Sequence, residues 1–128
     1  MTLQTLEITR DEWLPFFDAF SGMHRGWLVT LEVRGESFDA EVRAAGVPFE
    51  EIAAEGGRDG DRISIVLRPN SADEINHVVE SPAHVWLRQE EALSDAALEI
   101  QSARGTTTLL KFTAADLPRP AEGTSFWA

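Results

Sequence analysis

Between Gly26 and Gly35 the chain reads GWLVTLEVRG, an alternation regular enough to demand an extended strand. Trp27, Val29, Leu31 and Val33 fall on one side, while Leu28, Thr30, Glu32 and Arg34 fall on the other, as a strand with one buried face requires. Such a strand needs neighbours to pair its backbone and cover its apolar side. The downstream chain is expected to supply them.

Arg62 to Arg68 repeats the pattern, with Ile63, Ile65 and Leu67 on one face. Weaker alternation runs through Phe38 to Ala44, stops at Gly46 and resumes from Val47 to Ala54, where Pro48 argues for an edge or a bend. Glu55 to Asp61 (EGGRDGD) and Pro69 to Asp73 read as loops. Ile75 to Glu80 and Ala83 to Gln89 flank Ser81-Pro82 and are expected to form a hairpin, facing Val78 with Val85, His77 with Trp86 and Val79 with His84. After a polar break at Glu90 to Asp95, Leu98 to Ser102 and Thr106 to Phe112 surround Ala103-Arg104-Gly105. A three-residue loop with left-handed Gly105 pairs Leu98 with Leu110 and Ile100 with Thr108, keeping one face apolar.

Ahead of these strands, Trp13, Phe16, Phe17 and Phe20 follow helical spacing and share a face, the expected lid of the core. Thr9 and Glu12 have the spacing of a capping box, and Ile8 and Trp13 that of a hydrophobic staple. Pro15 moves the helix start toward Asp11 or bends it, and Ser21, Gly22 and Gly26 mark its end. His24, just beyond, is placed to interact with the helix C-terminus.

One helix followed by short strands with frequent turns indicates an α+β fold that is mainly β. The expectation is an N-terminal helix followed by a six- to eight-stranded antiparallel sheet curled into a small barrel or sandwich. Sm-like and SH3-like barrels have the same order, an analogy of fold that carries no function. The 128 residues make a single domain, with a core at about residues 9–113 and an irregular tail over 114–128.

The formal charge of −11 opposes a phosphate backbone, and the arginines are scattered, so no nucleic-acid partner is expected. The absence of cysteine excludes disulfides and thiolate metal sites. Ten arginines against the single Lys111 reflect a GC-rich bacterial genome. No apolar run approaches the roughly 20 residues of a membrane helix, and the start, MTLQTLEITR, lacks the order of a secretion signal. A cytoplasmic protein with no membrane partner is expected.

EWLPFFDAFS (Glu12 to Ser21), GWLVTLEV (Gly26 to Val33), DRISIVL (Asp61 to Leu67) and ALEIQSARGTTTLLKF (Ala97 to Phe112) resemble, in that order, a bacterial family of short acidic domains of unknown function. The resemblance spans about Thr9 to Phe112. It implies a stand-alone bacterial domain and brings no catalytic residue with it.

Candidate ligand-binding residues are His77, His84 and Trp86, because the expected hairpin sets both imidazoles on one face with the indole. Two imidazoles can hold a metal or exchange protons near neutral pH, yet the order His77, Glu80, His84 matches no zinc motif, and surface strand residues account for them more simply. Asp59-Gly60-Asp61 with Glu55 offers oxygen ligands but lacks the further acids of a calcium loop. Phe126 and Trp127 are candidate interaction residues, since two aromatics at a chain end dock on their own domain or reach a neighbour. No catalytic residue, metal or cofactor is assigned. The expected function is a non-enzymatic binding or protein-interaction module whose partner is a second copy or another protein. The alternative is a small-molecule or metal-binding domain, or a hydrolase, around His77, His84 and Trp86.

Overall fold

The computed structural model of the chain describes residues 3–35, 40–56, 60–69, 73–90 and 96–113. Strand β1 (Leu3–Ile8) leads through a short 3-10 turn (Arg10–Glu12) into helix α1 (Trp13–His24). Seven strands follow: β2 (Leu28–Arg34), β3 (Glu41–Glu55), β4 (Arg62–Leu67), β5 (Ile75–Glu80), β6 (Pro82–Glu90), β7 (Ala96–Ser102) and β8 (Thr107–Thr113). They form one eight-stranded antiparallel sheet in the order β1-β6-β7-β8-β2-β3-β4-β5.

Alternation in β2, β4 and β8 produces the expected burial. Val29, Leu31, Ile63, Ile65, Leu67 and Leu110 are inside, and every second residue is more accessible. Gly105 takes φ 98, and the β7–β8 hairpin has the expected register, Leu98 opposite Leu110 and Ile100 opposite Thr108. Only glycine adopts that backbone freely, which is why the three-residue loop closes there.

β3 is one long strand where two weak ones were expected. Its first half pairs with β2, as in Leu31 opposite Ala44, and its second half pairs with β4, as in Ile52 opposite Ile65. The bend between them sits at Gly46, with φ 64, and Pro48. Bulges in both ladders increase the local twist, and the sheet wraps around its own apolar face.

α1 lies on that face. Trp13, Phe17 and Phe20 are buried and Phe16 is half-buried, so the aromatic stripe is core. Phe20 and Phe49 each meet Phe112 edge-on, with ring centroids 5.0 Å apart. The helix starts later and ends later than its sequence signals indicate. Pro15 is therefore in the first helical turn, where its missing N–H leaves no bond unmade. Ser21, expected near the end, lies within the helix: its buried hydroxyl donates to the Ile52 carbonyl (3.1 Å) and accepts from the Ile52 N–H (3.0 Å). At the start, Trp13 donates its indole N–H to the Ile8 carbonyl (2.9 Å), fixing the chain's entry from β1.

Two expectations are corrected. The sheet is not closed into a barrel: among the described residues β1 pairs only with β6, and β5 only with β4, which leaves each with an edge that no described strand pairs. The hairpin at Ser81-Pro82 does not form either. β5 runs into β6 through the single residue Ser81, at φ 51, and one residue is too few to reverse the chain. β5 instead lies against β4, and β6 between β1 and β7.

Candidate functional site

The corner at Ser81 brings the β4–β5 end of the sheet to the β7–β8 end. Ser81 N–H donates to the Asp61 carbonyl (3.2 Å), and its own carbonyl accepts from Ala103 N–H (2.8 Å). Ser102 Oγ donates to the Glu80 carbonyl (2.7 Å) and accepts from Arg104 N–H (3.0 Å). Among the described residues no strand lies along the outer edge of β5. A recess of about 200 Å³ lies beside this corner, lined by His77, Val79 and Glu80 of β5 and by Val33, Thr106 and Thr108.

Strand alternation aims His77 into this recess. It lies opposite the fully buried Ile65 and on the same side of β5 as Ile75 and Val79, facing the core. Burial holds its imidazole below the ordinary histidine pKa, and the charge of Arg43 adds to the shift. His77 is therefore a neutral ring at neutral pH, able to donate from one nitrogen and accept at the other. Thr108, opposite Ile100 and Val33, is almost wholly buried in the floor. Arg104 stands at the rim on the β7–β8 turn. Arg34 lines an adjoining recess of about 350 Å³ that shares Ser102 and Thr106.

His84 and Trp86 belong to a different place. Their side of β6 is the one opposite the buried Val85, and they lie across from Gln101 and Glu99 of β7. His84 stacks on Trp86 with ring centroids 5.2 Å apart, and its Nδ1 lies 2.8 Å from Glu7 Oε2. On the same face, Arg88 pairs with Glu99 (2.6 Å) and Lys111 with Glu32 (3.2 Å). Sequence reasoning joined His77 to this pair through a hairpin that does not exist, so the three do not form one site.

The remaining candidates divide similarly. Asp61 is ion-paired with Arg10, whose guanidinium also donates to the Pro82 carbonyl (3.1 Å) and lies 4.6 Å over the Trp13 ring. That carboxylate holds the corner together, while Asp59 lies outside the described residues. His24 has its expected place at the end of α1: Nδ1 is 3.0 Å from the Phe20 carbonyl, and the ring stacks on Phe20 at 4.0 Å. Burial lowers its pKa against the opposing effect of that hydrogen bond. Phe126 and Trp127 lie outside the described residues. Among the described residues no three histidine or carboxylate side chains are grouped to hold a metal, and no helix is long and apolar enough to cross a membrane.

What sequence reasoning missed was the edge. The β5 residues were read correctly as a strand, but only non-local pairing decides that β5 is outermost.

Neither a curated protein nor a solved structure is detectably similar to this chain. A model of a family of unknown function, DUF5335, matches residues 4–120, most of the length, and the chain belongs to that family.

Proposed function

We propose that the domain is a non-enzymatic binding module that takes up an extended segment of another polypeptide along the open edge of β5. One observation carries this reading: among the described residues β5 is unpaired on one side, and a recess of about 200 Å³ lies between it and residues of β2 and β8. An added strand gains main-chain hydrogen bonds from such an edge, and alternate side chains read the pockets beside it. Natural edges are commonly blunted by lysine, proline or shortness, and Ile75–Glu80 contains neither residue. It also leaves Val78 40% exposed. The long excess of arginine over lysine supports a bacterial setting for the module.

The small-molecule alternative keeps only its His77 part, since His84 and Trp86 face elsewhere. The proposal is tested by native mass spectrometry of protein purified gently from its own host, beside a Val78→Lys variant. Lysine at that exposed position blocks strand addition while leaving the core intact. The wild type retains a stoichiometric polypeptide, and the variant arrives without it. A wild type that arrives alone, or a variant that keeps the same companion, overturns the proposal.

A further inference from the structure

Resting on that reading of β5, the chemistry of the recess narrows the partner. We infer that the segment taken up beside β5 carries a carboxylate, a side chain or a chain terminus, and places it in the recess between His77 and the β7–β8 turn.

Charge and placement at the recess favour such a group. In a chain of formal charge −11, Arg104 on the turn lines the recess, and Arg43 near the start of β3 lies close enough to act on His77. Arg104 is not ion-paired with a described residue, whereas Arg10, Arg43, Arg68 and Arg88 are. Planar guanidinium groups suit a carboxylate, which accepts two parallel N–H bonds from one of them. Thr106 and Thr108 bring hydroxyl groups to the same space, and His77 brings a ring nitrogen.

The charged groups around His77 define the pH dependence. From β3 comes Arg43, itself paired with Glu41 at 3.2 Å; from β5, Glu80; from the turn, Arg104. β2 and β4 contribute the apolar Val33 and Ile65. Glu36 and Asp39 lie outside the described residues. An anion seated beside the ring favours the imidazolium, so occupation of the recess raises the His77 pKa and takes up a proton. Linkage then makes binding tighter as the pH falls through the range between the free and bound values.

The test uses acetate as the probe. The His77 ring is titrated by NMR in acetate and in chloride at equal ionic strength, with His84 as the internal control. The expected result is a His77 pKa higher in acetate by about half a unit, equivalent to about threefold preference for the protonated site. The shift is lost in Arg104→Gln and absent at His84. An unchanged His77 value in acetate overturns the inference, as does an equal rise at both histidines, which marks a general ionic effect. Either outcome leaves strand addition at β5 to be judged separately by the Val78→Lys comparison.

Discussion

The hydroxyl of Ser21 and the backbone of Ile52 exchange two hydrogen bonds, of 3.1 and 3.0 Å, inside the interface between α1 and β3. One small side chain thereby satisfies both polar groups of a residue in the second half of β3, where the strand has left β2 for β4. Ser21 is also the reason α1 continues beyond the point where serine and glycine suggest an end: its hydroxyl is engaged across the interface, not in a turn.

Replacing Ser21 with alanine leaves the Ile52 N–H and carbonyl buried without that partner. The expected cost is about 2 kcal/mol, the penalty for unsatisfied buried groups, with an unchanged denaturant slope. Urea unfolding followed by tryptophan fluorescence measures it. A loss below about 0.5 kcal/mol, the scale of an ordinary surface change, contradicts the placement of Ser21 as a clasp.

Stability is expected to fall with acidification through two histidines. Burial lowers the folded-state pKa of both His24 and His77, so the unfolded chain binds more protons between each folded value and the ordinary value near 6.5. Their contribution is complete above about pH 6.5 and is lost as the pH falls toward the lowered folded values. Denaturation midpoints measured from pH 8 to pH 5 follow this loss. His24→Gln and His77→Asn each flatten part of the slope, and His84→Asn serves as the exposed control. A slope that survives both substitutions assigns the acid sensitivity to other groups.

Much of the fold was legible because strict alternation is local. β2 and β4 announce their buried faces within a few residues, and Gly105 fixes the register of the β7–β8 hairpin by a backbone conformation other residues avoid. β3 was harder to read, since Gly46 looks like a stop and is instead a bend in a continuous strand. β1 went unread: Leu6, on its core-facing side, is 59% exposed at the sheet edge, and the segment is too short for its period to stand out. Ser81-Pro82 has turn composition, but composition does not distinguish a reversal from a corner. That single ambiguity joined His77 to His84 and Trp86 in the sequence reading, and the structure separates them because the neighbours of a strand are chosen by non-local pairing. The recess inherits the same difficulty, drawing its walls from β2, β5, β8 and the β7–β8 turn.

The central claim is that β5 is the binding edge, and amide hydrogen exchange reads that edge directly. In the isolated protein at low concentration, the amides of Ile75–Glu80 that point away from β4 exchange quickly, while those paired with β4 are slow. In the complex retained from the host, the fast set becomes protected and the β1 edge stays unchanged. Protection that appears at β1, or no change anywhere along Ile75–Glu80, would contradict the account.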